Sequence, residues 1–108
     1  MIDIERLATE LDFDIEDVYV LVELFVENAQ VSLANIEEAI EGNDIQTIQN
    51  EAHAIKGSAA NLLLVDIQSM ARDMETAALE NRKINYLSLF NQIEESIEAL
   101  NEVYRSYA

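Results

Sequence analysis

Apolar residues recur at steps of three and four through most of this chain. Ile15, Val18, Val22, Phe25, Ala29, Leu33, Ile36 and Ile40 form one such series, which marks a single stripe on a helix about seven turns long. Ile45, Ile48, Ala52, Ile55, Ala59 and Leu62 form the next, followed by Ile67, Met70, Met74 and Ala78, and then by Tyr86, Phe90, Ile93, Ile97, Leu100, Tyr104 and Tyr107. A short helix is predicted ahead of these, over residues 3–10. The alternation in "VYVLVELFV" (residues 18–26) also fits a strand, but the helical series runs through it, so a helix buried on more than one side is expected. Breaks fall at "EGND" (41–44), near "VD" (65–66) and at "ENRKIN" (80–85). Asp12 or Asp14 is placed to cap the first long helix, Gly42 to end it as the residue just past the C-cap, and Asn43 or Asp44 to cap the next; Asp66 opens the fourth helix, and the last begins near Asn85. Short joins put neighbouring helices antiparallel. The predicted fold is all-α: one domain over residues 1–108, an antiparallel four-helix bundle with a short N-terminal accessory helix as a lid.

Composition supports this and removes several functions. The 108 residues contain no proline, no cysteine and two glycines, a freedom from breakers that suits long helices. Without cysteine there is neither a disulfide framework nor a thiolate metal site. Twenty-two acidic against six basic residues give a net charge of −16, which repels phosphate backbones and anionic membranes. No nucleic-acid or membrane partner is expected. No apolar run reaches a membrane span, and the acidic start lacks the basic opening of a signal peptide. The expectation is a soluble, cytoplasmic protein.

Against this background "HAIKGSAANLLL" (residues 53–64) stands out. It carries the only histidine, one of the two glycines and one of the six basic residues. With about 100° per residue, His53 lies about 130° from the core direction, Lys56 about 70° off it on the flank, and Gly57 nearly opposite the core. Lys56 is expected to run its stem along the bundle and reach solvent with its ammonium. Glycine inside a helix costs about 1 kcal/mol relative to alanine. The outer face then continues His53, Gly57, Ala60, Leu64, small or apolar where solvent-facing stripes usually carry charge. Such a face admits close approach by another backbone; it is equally what inexpensive helix formers and an idle surface histidine would give.

The chemistry available is specific. A neutral exposed imidazole is a nucleophile, and its attack on a phosphoryl group gives a phosphohistidine. Lys56, three residues on, is a neighbour on the helix surface whose ammonium can offset phosphoryl charge. Gly57 leaves room for the approaching group. Ser58 either bonds back to its own helix or assists locally. A zinc site is disfavoured by one histidine without cysteine. Glu51 and His53 stand two apart on different faces, unlike the Glu-x-x-His pattern of carboxylate-bridged metal bundles. No glycine-rich loop is present to cradle a nucleotide.

At "HAIKGSAANL" the sequence resembles the histidine-containing phosphotransfer (HPt) domain of multistep phosphorelays, whose pattern is roughly His-x-(Leu/Ile)-Lys-Gly-(Ser/Ala)-(Ser/Ala)-x-x-(Leu/Ile)-Gly. His53, Ile55, Lys56, Gly57, Ser58, Ala59 and Leu62 match in register, and "ARDMETAALE" is similar to the helix that follows. The resemblance spans essentially the whole chain. It implies that His53 accepts a phosphoryl group from an aspartyl phosphate on a response-regulator receiver domain, including one carried by a hybrid histidine kinase, and returns it to that or another receiver. Lys56 and Gly57 carry over as the phosphoryl-side cation and the close-approach glycine. The receiver supplies the acidic pocket and Mg²⁺; this chain itself binds no cofactor or metal, is a monomer and has no kinase activity of its own. A polar residue of the next helix orients the imidazole, with Gln68, Arg72 and Glu75 as candidates. Leu63, followed by Leu64, stands where the family has glycine, so the turn into the fourth helix is expected to differ and an apolar patch to lie nearer the docking face.

The leading expectation is therefore a free-standing phosphoryl shuttle. The alternative is a non-catalytic helical adaptor that binds a partner through the exposed Gly57, Ala60 and Leu64 face. A carboxylate metal-binding bundle is a third possibility.

Overall fold

In the computed structural model, which describes residues 3–107, five helices follow in order: α1 (Ile4–Leu11), α2 (Ile15–Glu41), α3 (Ile45–Asn61), α4 (Val65–Leu79) and α5 (Tyr86–Tyr107). Among the described residues the only regular elements are helices. The 27 residues of α2 span about 40 Å at 1.5 Å per residue, the full length of a bundle whose long axis measures 42 Å. Helices α2 to α5 pack as the bundle, and α1 lies against α2.

The stripes of the sequence become the core. Val18, Val22, Phe25, Ala29, Leu33 and Ile36 of α2 are buried with Ile48, Ala52, Ile55 and Ala59 of α3, Ile67 and Met74 of α4, and Phe90, Ile93, Ile97 and Leu100 of α5. Ile4, Leu7 and Ala8 of α1 join the same cluster, and no polar side chain among the described residues is buried in it. One side of the bundle is finished by Tyr19, whose ring meets Tyr104 edge-on at 6.1 Å and Tyr107 at 6.0 Å. Tyr107, predicted as core, is exposed, with its ring tilted against that of Tyr19.

The four helix junctions repeat one device. After α1, α2, α3 and α4 a residue with positive φ closes the helix: Asp12, Asn43, Leu63 and Asn81, at 57°, 55°, 57° and 55°. In each case its N–H and that of the next residue bond back into the last turn, for example Leu63 N–H to Ala60 O at 3.1 Å and Leu64 N–H to Ala59 O at 3.0 Å. This is the Schellman arrangement, which satisfies carbonyls the helix end would leave open.

Three boundary expectations are corrected. Gly42 has an ordinary negative φ, and the left-handed residue is Asn43. Asp44 then caps α3 by accepting from Thr47 N–H at 3.2 Å. Helix α4 opens at Val65 with Leu64 in the capping position, so Asp66 lies inside the first turn, where its charge favours the helix dipole. Leu64 does not continue the outer face of α3: that helix ends at Asn61, and Leu64 turns inward and is 4% exposed. At the other caps, Asp3 accepts from Glu5 and Arg6, Asp14 makes no side-chain cap bond to α2, and Asn85 accepts from Ser88 N–H at 3.1 Å.

Candidate functional site

The middle of α3 presents His53 outward, its side chain 67% exposed. Ala52 and Ile55 on the opposite face are buried in the core, which fixes the rotation of the helix and hence where His53 points. The imidazole is nonetheless held. Its Nδ1 lies 2.5 Å from Oε2 of Glu75 on α4. Lys56 Nζ lies 2.6 Å from Oε1 of the same carboxylate. One glutamate, only 15% exposed, thus ties together the two residues of α3 that the sequence pattern singled out.

The three groups constrain one another chemically. An ionised carboxylate only accepts hydrogen bonds, so Nδ1 carries the proton and donates it to Glu75. The lone pair of a neutral ring is then on Nε2, the nitrogen left facing solvent. The Lys56 ammonium holds the Glu75 carboxyl below its usual range; partial burial pushes the other way, and the bond from His53 lowers it further. Glu75 is in effect kept ionised by one neighbour so that it can orient the other.

Lys56 departs from its expected position. Its ammonium does not run out to free solvent but crosses onto Glu75. Of the three candidates on α4, Glu75 orients the imidazole; Gln68 is half-buried and Arg72 exposed. Ser58 is exposed beside Gly57. Gly57 has no positive φ, and a Cβ built there would find nothing within 4 Å. Neither backbone conformation nor internal packing asks for glycine at this position.

The outer face is also shorter and less apolar than expected. Ala60 is half-buried and Leu64 buried, so the adaptor surface of Gly57, Ala60 and Leu64 loses its one large apolar residue. Exposed apolar side chains stand instead on α2, at Val20, Leu24 and Val31, spacings of four and seven that keep them on one face. The expectation that residues 18–26 are buried on more than one side is corrected here: Val18, Val22, Phe25 and Val26 face the core, whereas Val20 and Leu24 face outward. The apolar residues left over at helical spacing were the signal for this second face. Asn35 on α2 donates to Glu51 Oε2 on α3 at 3.2 Å, and Val31, one turn before Asn35, shares the flank turned toward α3. No three His, Asp or Glu side chains among the described residues converge as a set of metal ligands. No helix among them is long and apolar enough to cross a membrane.

Comparison with known proteins bears on the family and the fold. The family model of the Hpt domain matches residues 20–103, from early α2 into the last turns of α5. In fold the chain is similar to the crystal structure of histidine-containing phosphotransfer protein B (HptB) from Pseudomonas aeruginosa PAO1, with a TM-score of 0.84 at 21% identity over 97% of this chain and 91% of that one. Among curated proteins no sequence matches.

Proposed function

Since the chain belongs to the Hpt domain family, the histidine phosphotransfer proteins of phosphorelay signalling, we propose that His53 is its phosphoacceptor, with the aspartyl phosphate of a receiver domain as donor. The observation that carries this is the bond from Nδ1 to Glu75, which leaves the exposed Nε2 as nucleophile. In the forward step the Nε2 lone pair attacks phosphorus, the bond between phosphorus and the aspartyl oxygen breaks, and the aspartate leaves as a carboxylate with that electron pair. The Nδ1 proton stays in its bond to Glu75, whose negative charge offsets the positive charge the ring acquires. The reverse step, onto the same or another receiver, needs no further group from this chain.

Lys56 serves this step by neutralising Glu75. A bare carboxylate beside an arriving phosphoryl group would repel it, and the ammonium on Oε1 removes that repulsion while offering its remaining donors outward. Gly57, one turn from His53 with open space where its side chain would be, admits the receiver's backbone. The receiver docks across the outer surface from Leu24 and Val31 on α2, over Ala54 and Gly57, to His53. It supplies Mg²⁺ and its own acidic pocket, and this chain acts as a cytoplasmic monomer without a resident cofactor.

The test is His53→Gln, which keeps a polar side chain at an exposed position and leaves the helical circular dichroism unchanged. Incubated with a receiver phosphorylated on aspartate, the native chain acquires acid-labile, alkali-stable phosphate and the variant acquires none. Labelling of the variant at the native rate would remove His53 from the mechanism.

A further inference from the structure

A groove of about 850 Å³ runs along α1, the first turn of α4 and the C-terminal half of α5. Leu7, Leu64 and Ile67 lie beneath it as buried core residues, and the half-buried Val103 offers apolar surface from α5. Leu63 and Val65 stand at its lip as exposed large apolar side chains. Leu63 is held in the left-handed region at 57°, the one junction of the four at which that conformation is taken by a residue unsuited to it. The rim is acidic. Asp3, Glu10, Asp66 and Glu102 line it against Arg6 alone, and Arg6 is paired with Glu10 at 2.9 Å.

We propose that this groove docks a cationic amphipathic helix of a partner protein, its apolar side on Leu63, Val65 and Val103 and its Lys and Arg side chains along the rim. The charge complementarity selects this occupant. A second copy of this chain competes in principle: Arg82 and Lys83 line a smaller groove between the α2–α3 and α4–α5 junctions that has no acidic residue, beside exposed Ile84 and Leu87. The net charge of −16 opposes bringing two copies together. The groove is made by α1, α5 and the start of α4, whereas His53, Lys56 and Gly57 lie on α3. The partner therefore leaves the phosphotransfer face open and holds the chain while a receiver visits it.

The probe is a synthetic 14-residue helix with leucines at spacings of three and four and lysines elsewhere, titrated into the ¹⁵N-labelled full chain. Saturable amide shifts are expected at Leu7, residues 63–67 and residues 99–103, with an affinity that falls as salt rises. The same peptide with glutamate in place of lysine gives no saturable shifts. Leu63→Asn removes the apolar lip, and asparagine tolerates the left-handed region, so the fold is kept while binding weakens about tenfold. Asp66→Asn with Glu102→Gln flattens the salt dependence. Equal binding of both peptides, shifts centred on α2 and α3, or unchanged binding by Leu63→Asn would overturn the proposal. So would concentration-dependent self-association that perturbs the groove without peptide, which assigns it to a second copy.

Discussion

Gly57 and Leu63 lie six residues apart and invert each other's local logic. Gly57 sits in a regular helical turn that any residue could adopt, with nothing within 4 Å of the place a Cβ would take. Leu63 sits at a φ of 57°, where glycine would be free of the steric cost of about 1–2 kcal/mol. Glycine is present where the fold does not need it and missing where the fold would favour it. The two departures teach different things. The first has its reason outside the molecule, at a surface beside the orienting pair of His53 and Glu75. The second lies at a helix junction whose turn geometry is retained despite the side chain, because the backbone bonds of the junction and the burial of Leu64 hold it.

The largest effect that sharpens this contrast comes from Leu64. As the inward member of the junction it is core, and Leu64→Ala should destabilise the bundle by about 2–5 kcal/mol, read from urea denaturation. The same change at Leu63, 42% exposed, should cost far less. Equal losses at the two positions would mean that the junction is not divided into an anchoring and a free leucine.

Glu75→Gln is next and tests the other side of the comparison, the residue that makes the exposed face of α3 chemically specific. It removes the charge shared by His53 and Lys56, costs about 1 kcal/mol at neutral pH after allowance for solvent at the partly exposed lysine, and slows labelling of His53. The Glu75 carboxyl is held low in the folded state, first by the Lys56 bond. Its contribution is therefore complete above the ordinary carboxyl value of 4.5 and is lost as pH falls through the lower folded value. Denaturation of the two chains from pH 7 to pH 3 should show the native advantage shrinking only in that acid range; an advantage constant with pH would dissociate it from the ionised carboxylate.

Gly57→Ala should separate stability from function in opposite directions. Alanine in a helix with free space around it stabilises by about 1 kcal/mol, so the melting midpoint rises. Transfer from a phosphorylated receiver should fall by about tenfold, because a methyl group in a close docking contact acts as overpacking. A stabilised variant that transfers at the native rate would leave Gly57 without a functional reason.

The helices themselves were legible in the sequence because the bundle core obeys the 3.6-residue period, from Val18 to Ile36 and from Ile48 to Ala59. What the period could not show lay at its ends. Extending the wheel from Ala60 to Leu64 assumed a helix that stops at Asn61, and so it turned a core leucine outward. Gly42 was the obvious helix terminator, yet Asn43 takes the left-handed position, since asparagine tolerates it almost as well. The choice of Glu75 over Gln68 and Arg72 is a matter of register between helices, which periodicity within one helix does not contain. A usable signal was present nevertheless: in an antiparallel hairpin, residues equidistant from the turn meet. His53 stands eleven residues before Leu64 and Glu75 eleven after; Asn35 and Glu51 each stand eight from Asn43.

The smallest effect is the most direct test of the inversion. Leu63→Gly places glycine at the one junction residue that carries a positive φ without a short polar side chain, the others being Asp12, Asn43 and Asn81. Relief of the left-handed conformation, about 1–2 kcal/mol, is opposed by the greater chain entropy of glycine, about 0.5–1 kcal/mol, and by loss of the partial burial of the leucine. The backbone terms favour glycine by about 0.5–1 kcal/mol, and the lost burial of a leucine that is 42% exposed offsets them by about 1 kcal/mol. The melting midpoint should therefore stay within a few degrees of the native one, with no change in the rate at which His53 is labelled. Glycine would then be accepted at position 63 despite the apolar contact it gives up, while its removal would raise stability at position 57. A destabilised Leu63→Gly chain would show instead that the exposed leucine contributes more to the junction than its backbone costs, and the two positions would no longer be opposites.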